Sequence, residues 1–269
     1  MSDLSGRVGI VTGASQGIGR GIALAFADAG ASIVAAARSV QKLDETCAEI
    51  AERGGNAIPV ECNVQDAENI EACVARTVEE FGGVDFVVNN AQNIRYLFMM
   101  DSSDEDIADA WESGPLATFR FMRLAYPYLE QREGVVVNVG SNSTLLPNTS
   151  RYGPYNAAKR AIEALTRTAA DEWRSDGISV FMIHPTAESA MTMNWKAREP
   201  EKYAAAVAAM PGGRLGDPEL DIGRPLVQLV QRARELSGKT IHMSAGGVAE
   251  TVETITQEPI LLPERDLTA

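Results

Sequence analysis

Tyr155 and Lys159 are four residues apart in the segment RYGPYNAAK. If the residues after Pro154 form a helix, the two side chains share one face, about 6 Å apart at Cβ. A tyrosine hydroxyl ordinarily has a pKa near ~10, and an ammonium within roughly 4–6 Å favours the phenolate. The pair therefore predicts a tyrosine that exchanges protons at neutral pH. Taken alone, the spacing is more typical of an amphipathic helix, so the prediction needs support from elsewhere in the chain.

The elements that would position this pair are seven apolar runs of strand length, separated by longer segments of helical period. The runs are RVGIVT, SIVAAA, NAIPVE, VDFVVN, GVVVNVG, ISVFMIH and KTIHMS, and the main helical segments are 17–29, 39–53, 66–81 and 154–174. Strand and helix in alternation predict a parallel sheet covered on both faces. Continuous Val- and Ile-rich strands fit that burial. The sequence thus predicts an α/β fold with a doubly wound parallel sheet of about seven strands.

The chain of 269 residues contains no linker and no repeat, which favours a single domain over residues 1–248. Residues 190–215 interrupt the alternation with two short helical stretches. Residues 249–269 are acidic and lack a pattern, as in an oligomer arm or a disordered tail.

Charge and composition exclude several classes of function. The net charge is −13 and no basic cluster is present, so nucleic acid is not an expected partner. No apolar run reaches membrane-spanning length and no leader pattern is seen, so we expect a cytoplasmic protein that does not bind membranes. Cys47, Cys62 and Cys73 lack CxxC spacing, and His184 and His242 stand apart from any ligand cluster. Neither a disulfide framework nor a metal site is predicted.

A glycine-rich turn, TGASQGIG at 12–19, follows the first predicted strand and opens a helix. Gly13, Gly17 and Gly19 would let the backbone approach a pyrophosphate at the helix N-terminus. Such a turn alone is a weak signal, but its place after the first strand strengthens it.

Arg38 follows the second predicted strand. An acidic residue at this point usually holds a ribose 2′-hydroxyl, whereas an arginine accommodates a 2′-phosphate. The sequence ARS at 37–39 therefore favours NADP(H) as cofactor, with NAD(H) as the alternative. Ser15 and Lys42 are candidates for further contacts.

The motifs TGASQGIG, NNAQ at 89–92, Ser141 and YNAAK at 155–159 occur in the order and spacing of one family. The sequence resembles the short-chain dehydrogenases/reductases with TGxxxGxG and YxxxK motifs, over residues 4–247. This resemblance implies a Rossmann-like fold and hydride transfer between NADP(H) and a small carbonyl or alcohol substrate. Tyr155 matches the family's acid/base, and Lys159 the residue that lowers the tyrosine pKa and binds the nicotinamide ribose. A homotetramer or homodimer, paired through helices within 103–130 and 154–174, is also implied.

The resemblance assigns further residues to the site. For the serine that binds the substrate oxygen, the strand GVVVNVGS favours Ser141, while the spacing to Tyr155 leaves Ser143 open. The implied cofactor-binding residues are Gly13, Ser15, Gln16, Gly17, Ile18, Gly19, Arg38, Asn63, Val64, Asn90, Ala91, Tyr155, Lys159, Pro185, Thr186 and Glu188. The candidate substrate pocket comprises Gln92, Ile94, Ser143, Tyr152, Met191 and Trp195, with Leu145 and Leu146 as further apolar walls. An apolar ketone or secondary alcohol is the expected substrate.

Three positions depart from the family pattern. Gln92 replaces a glycine, Thr186 replaces another glycine, and Gly114 replaces a helix asparagine that helps to hold a water of the proton relay. Because Pro115 lacks an N–H group, we expect WESGPLATF to keep a helix kink there, and a backbone carbonyl is a candidate to hold that water. These departures also permit an alternative function as a non-catalytic NADP(H)-binding or regulatory protein.

Overall fold

The computed structural model describes residues 3–145 and 150–250. Leu146 and the tail beyond Glu250 lie outside these described residues. The strands are β1 Val8–Thr12, β2 Ser32–Ala37, β3 Asn56–Glu61, β4 Phe86–Asn89, β5 Val135–Val139, β6 Ser179–Thr186, β7 Thr240–Ser244 and β8 Gly247–Glu250. The helices are α1 Gly17–Asp28, α2 Val40–Glu52, α3 Ala67–Phe81, α4 Asp104–Trp111, α5 Ala117–Arg132, α6 Gly153–Glu172, α7 Ala190–Arg198, α8 Pro200–Ala208, α9 Arg224–Gln231 and α10 Ala233–Leu236.

The strands form one sheet in the order β3-β2-β1-β4-β5-β6-β7-β8. All neighbouring pairs are parallel except β7 and β8, which are antiparallel. The α/β prediction is therefore confirmed, with a short eighth strand added to the seven expected. Successive connections run outward from β1 to β3, and the chain then returns to place β4 on the other side of β1. A crevice opens at such a reversal, outside the carboxyl ends of the strands.

Two apolar layers cover the sheet, one on each face. Ile10 and Val11, which are adjacent in β1, belong to opposite layers, as the alternation of side chains along a strand requires. Phe26 of α1 contributes to one layer and Phe121 of α5 to the other. The β1 and β5 strands are buried along their whole length, and both are mainly apolar.

A capping box defines the start of α7, next to the crevice. Ser189 caps α7 by accepting from the Thr192 N–H, while the Thr192 side chain bonds the Ser189 backbone in return. This capping box fixes the start of the predicted 190–215 insertion at the edge of the crevice. The insertion contains α7 and α8, in agreement with its two expected helical stretches.

Candidate active site

A cleft of about 400 Å³ lies at the carboxyl ends of β1, β4, β5 and β6. Most of the predicted cofactor residues line it, namely Gly13, Ser15, Gln16, Gly17, Ile18, Arg38, Asn63, Val64, Asn90, Ala91, Tyr155, Lys159 and Pro185. Ser141, Gln92, Ile94 and Met191 line it as well. The topology thus brings residues from across the sequence to one surface.

Other predicted residues lie outside the cleft lining. The Glu188 side chain is exposed, and the Thr186 hydroxyl accepts a hydrogen bond from Asn142 Nδ2 at 2.5 Å. Gly19 lies behind the turn, and Ser143 and Tyr152 lie beside Ser141 and Tyr155 rather than on the surface of the cleft. Trp195 packs on Tyr203, with ring centroids 5.3 Å apart. The assignment of these residues to cofactor or substrate binding stays a prediction.

Several lining residues were not predicted from the sequence: Cys62, Asn93, Val139, Gly140, Ser189 and Ala190. Most are immediate neighbours of predicted residues at strand ends, where backbone and short side chains form the wall. For Ser189 a signal was present, because a serine directly before a helical stretch is a frequent N-cap.

The turn after β1 is tied to the turn after β4. The Thr12 hydroxyl accepts the N–H groups of Asn90 and Ala91, at 2.9 and 3.0 Å, and Asn90 Nδ2 donates to the Thr12 carbonyl at 2.8 Å. Gly13 and Gly17 have φ of 70° and 55°, in the left-handed region that favours glycine. These contacts fix the shape of the cradle at the start of α1.

Gly19 is required for a different reason. A Cβ atom there would collide with the carbonyl oxygen of Gly13 and lie 2.5 Å from Asn90 Nδ2. A side chain at this position would force the Gly13 carbonyl or the Asn90 side chain to move. A helix N-terminus preceded by such a turn is a general anion-binding feature of proteins.

Arg38 lies exposed at the end of β2 and lines the cleft. Within the described ranges it has neither a hydrogen bond nor an ion pair. Lys42 lies nearby and donates to Gln16 Oε1 at 2.9 Å. The two cations give this end of the cleft a positive rim.

Tyr155 and Lys159 lie on one face of α6, and each is only 4% exposed. Lys159 Nζ is 5.6 Å from the centroid of the Tyr155 ring and donates to the Val139 carbonyl at 2.5 Å. The helical relation predicted from their spacing is present, because α6 begins at Gly153 with Pro154 in its first turn.

Burial dominates the pKa values of this pair. Burial raises the pKa of Tyr155 to about 12, while the hydrogen bond with Ser141 acts in the opposite direction. Burial lowers the pKa of Lys159 to about 7. The expected lowering of the tyrosine pKa by Lys159 is thus wrong for this arrangement: both groups are desolvated, and desolvation disfavours each charged form.

Ser141 and Ser143 form a hydroxyl pair with oxygen atoms 2.8 Å apart. The Ser141 side chain hydrogen-bonds Tyr155, whereas the Ser143 hydroxyl donates to Asn156 Oδ1 at 2.6 Å. Ser141 therefore contacts the proposed acid/base directly, and Ser143 hydrogen-bonds Ser141. The geometry favours Ser141 for the role that the resemblance left open between them.

The expected break at Gly114 and Pro115 is a π-helical turn, Glu112–Leu116, between α4 and α5. The Ala117 N–H bonds the carbonyl of Glu112, five residues back. This wider turn accommodates a proline without a full break in the helix. Gln92 lies against the turn: a Cβ atom added to Gly114 would be 2.7 Å from Gln92 Nε2.

An aromatic wall leads away from Tyr155. The Tyr152 ring centroid is 6.2 Å from that of Tyr155 and 4.9 Å from that of Tyr96. Arg198 of α7 lies over the Tyr96 ring, with its Cζ 5.6 Å from the centroid. Burial raises the pKa of Tyr96, so its hydroxyl stays neutral.

Two further findings concern the described part of the chain. In residues 3–145 and 150–250, no helix combines the length and apolar character needed to cross a bilayer. Over the same residues, no three His, Cys, Asp or Glu side chains cluster as metal ligands would.

Comparison with known proteins gives the class to which this fold and site belong. The family model described as short chain dehydrogenase matches residues 7–202. A 12alpha-hydroxysteroid dehydrogenase from a Clostridium species is 36% identical over 255 residues, which covers 91% of this chain and 98% of that protein. The 3-oxoacyl-[acyl-carrier-protein] reductase FabG of Vibrio cholerae is 34% identical over 247 residues, with 91% and 98% covered.

A solved structure described as a short-chain alcohol dehydrogenase of Sinorhizobium meliloti 1021 has the same architecture. It superimposes with a TM-score of 0.82 at 32% identity and covers 89% of this chain and 95% of that one. The chain belongs to the short-chain dehydrogenase/reductase family and is an oxidoreductase of that family. Members of this family use NAD(H) or NADP(H) and act on small-molecule substrates.

Proposed function

We propose that the protein catalyses hydride transfer between NADP(H) and an apolar ketone or secondary alcohol, with Tyr155 as the acid/base. The observation that carries this proposal is the placement of Tyr155 at one end of a cleft whose other end is the glycine cradle. Its hydroxyl hydrogen-bonds Ser141, and the buried Lys159 lies beside its ring. These groups are arranged to hold a reacting oxygen and to give it a proton.

The glycine cradle, Asn63 and Val64 would hold the dinucleotide, whose nicotinamide supplies or accepts the hydride. The Tyr155 hydroxyl, kept neutral by its raised pKa, donates its proton to a carbonyl oxygen; in the reverse direction the Tyr155 phenolate takes the proton of the alcohol. The Ser141 hydroxyl orients that oxygen. Burial of Tyr155 and Lys159 keeps water from competing for the proton.

The preference for NADP(H) rests on the rim of the cleft. Arg38 has no partner in the described residues, and Lys42 lies close to it, so both are available to a 2′-phosphate. NAD(H) lacks that group and would leave the positive rim without a ligand. NAD(H) is therefore the weaker cofactor in this proposal.

The apolar substrate rests on the walls near Tyr155. Ile94 and Met191 line the cleft, and Tyr152 and Tyr96 extend the wall outward. The relatives are named for a hydroxysteroid and for a 3-oxoacyl group on a carrier protein. We favour an apolar alcohol with a ring system, such as a hydroxysteroid, because the side chains next to Tyr155 are aliphatic and aromatic.

The test is cofactor turnover with NADPH and NADH over a panel of keto-steroids, 3-oxoacyl thioesters and simple aryl ketones. Tyr155→Phe is the test variant, and Tyr152→Phe, three residues earlier at the N-cap of α6, is the matched control. We expect NADPH-linked turnover that Tyr155→Phe reduces at least about 1,000-fold and Tyr152→Phe reduces less than about 10-fold. Tight NADPH binding without reduction of any carbonyl would instead support the non-catalytic alternative.

A paired assembly and a cytoplasmic location belong to the same proposal. The outer faces of α4 and α5 carry Ile107, Trp111 and Phe119, each about half exposed. Apolar side chains exposed together on adjoining helices suit a contact with a second copy of the chain. Sedimentation of the native protein and of Trp111→Lys should show a dimer or tetramer that the variant weakens. Cell fractionation tests the location.

A further inference from the structure

Asn156, the residue after Tyr155 on α6, is bonded to the short turn that carries Ser141. Asn156 Oδ1 accepts the Ser143 hydroxyl at 2.6 Å, and Asn156 Nδ2 donates to the Ser143 carbonyl at 3.1 Å. These two bonds fix the orientation of the amide, because the reverse orientation would set Oδ1 against the carbonyl oxygen of Ser143. Asn156 therefore holds Ser143 at two points, one on its side chain and one on its backbone.

The bonds of Asn156 complete a ring of four side chains around the proposed acid/base. Ser143 Oγ is 2.8 Å from Ser141 Oγ, and the Ser141 side chain hydrogen-bonds Tyr155. The Ser143 N–H adds a second bond to Ser141 Oγ, at 3.2 Å. Tyr155 and Asn156 are neighbours on α6, and Ser141 caps the turn Asn142–Thr144 that contains Ser143. The ring thus ties the Ser141 hydroxyl to the same helix that carries Tyr155.

The amide also determines which of the two serines can donate. Asn156 Oδ1 is an acceptor, so the Ser143 hydroxyl gives it its single hydrogen. Ser143 Oγ then faces Ser141 as an acceptor, and the hydrogen between the two serine oxygen atoms belongs to Ser141. Because a charged oxygen is a stronger acceptor than a hydroxyl, Ser141 turns this hydrogen to the reacting oxygen when negative charge develops there.

We propose that Asn156 is a positioning residue of the active site, which acts through Ser143 to place the Ser141 hydroxyl and to make Ser141 the donating serine. The inference rests on the proposed function. Proton transfer from Tyr155 to the substrate oxygen requires that the Tyr155 and Ser141 hydroxyls meet at one oxygen atom. The ring holds the two hydroxyls in that relation before the substrate binds, as a preorganised site requires. The Asn156 amide carries no proton and only orients its neighbours.

Two other bonds hold the same turn but lie outside the ring. Thr144 Oγ1 donates to the Ser141 carbonyl at 2.9 Å, and Arg160 Nη2 donates to the Thr144 carbonyl at 3.0 Å. Both bonds order the backbone of the turn and leave the hydroxyls of Ser141 and Ser143 alone. Thr144→Val, which removes the first of these bonds and keeps the shape of the side chain, is therefore the matched control for loosening of the turn.

The first arm of the test compares Asn156→Ala with Thr144→Val in ketone reduction. In Asn156→Ala we expect kcat to fall about 10-fold and the KM for the ketone to change less than about 2-fold, because placement of a catalytic group acts mainly in the transition state. NADPH affinity should stay native, since the glycine cradle is untouched. In Thr144→Val, kcat should fall less than about 3-fold. An unchanged kcat in Asn156→Ala, or an equal loss in Thr144→Val, would overturn the proposal.

The second arm tests whether Asn156 acts through the Ser143 hydroxyl. Ser143→Ala removes the hydroxyl that Asn156 holds, so adding Asn156→Ala should lower kcat by less than about 2-fold further. The full loss from Asn156→Ala should appear only when Ser143 is present. If the two losses multiply instead, Asn156 acts on the site by another route and the proposed ring does not transmit its effect.

Failure of the proposed function would give a different result. Melting temperatures of the two single variants and the double variant are measured without substrate, so the coupling between Ser143 and Asn156 is obtained independently of turnover. If that coupling is present and NADPH binds, yet no carbonyl is reduced, hydride transfer fails and the positioning role fails with it. If the native protein reduces ketones and Asn156→Ala does so equally well, the proposed function stands and only the inference about Asn156 is wrong.

Discussion

The cleft has two ends. At the end next to β1, here called the backbone end, the walls are mainly backbone. Beyond β4, at the side-chain end, the walls are mainly side chains. Gly13, Gly17 and Gly19 shape the first region through their φ angles and their lack of Cβ atoms. In the second region, Gln92 fills a space left by Gly114, and the Ser141 and Ser143 hydroxyls hold one another. A cleft wall made of backbone tolerates few substitutions. In a wall made of side chains, one residue can replace another and keep the same chemical function.

The largest expected effect is at the side-chain end, where Ser141 and Ser143 can be compared directly. Ser141→Ala removes the hydroxyl that bonds Tyr155, so kcat should fall about 100- to 1,000-fold, as when a donor to a reacting oxygen is lost. Ser143→Ala removes only the support behind it, and kcat should fall about 10-fold or less. Steady-state kinetics with NADPH measures both. A larger loss in Ser143→Ala would reverse the two roles.

Gly19→Val tests the backbone end. Its Cβ would collide with the Gly13 carbonyl and crowd Asn90 Nδ2, so residues that line the cleft must shift. NADPH affinity, measured by the change in nucleotide fluorescence, should fall at least about 100-fold, or about 2.7 kcal/mol. Gly6→Ala, at φ 77° with open space around it, is the control for backbone strain away from the cleft. Retention of native affinity in Gly19→Val would show that the cradle tolerates side chains after all.

Arg38 tests whether the rim of the backbone end selects the cofactor. Arg38→Ala removes the cation proposed to bind the 2′-phosphate, and a hydrogen bond to a charged group contributes about 1.5–3 kcal/mol. The KM for NADPH should therefore rise about 10- to 100-fold, with the KM for NADH as the internal control. An equal change for both cofactors would mean that Arg38 acts on the shape of the cleft rather than on the phosphate.

The sequence predicts the backbone end well, because strand runs and glycine spacing are local signals. Strands β1 to β7 begin and end within two residues of the predicted apolar runs, as in β2 at Ser32–Ala37. Strand β8 at Gly247–Glu250 was missed because it is short, exposed and without an apolar pattern. The contact between Gln92 and Gly114 was missed because it depends on packing between distant residues. The effect of burial on Tyr155 was missed for the same reason.

Lys159 provides the last comparison, because it is a buried cation at the side-chain end whereas Lys42 is an exposed one at the rim. Burial lowers the pKa of Lys159 from 10.5 to about 7, so between these pH values the unfolded chain binds a proton that the folded protein lacks. Stability attributable to this group therefore rises with pH across that window. Below pH about 7 the lysine is charged in both states, and the penalty for its burial is complete.

Lys159→Met removes that penalty, so the melting temperature of the variant should exceed that of the native protein. This difference should be largest at pH about 6. The difference should shrink by at least about 3 °C as the pH rises to about 9.5, because 1 kcal/mol shifts the melting temperature by about 2–4 °C in a chain of this size. The scan stops there because the raised pKa of Tyr155 acts in the opposite sense only above pH about 10. Loss of the bond to Val139 adds an offset that does not vary with pH, and Lys42→Met controls for the loss of a charge. A constant difference across the scan would mean that Lys159 stays protonated in the folded protein, and the ammonium would then be available to stabilise a phenolate at Tyr155 as its spacing in the sequence first indicated.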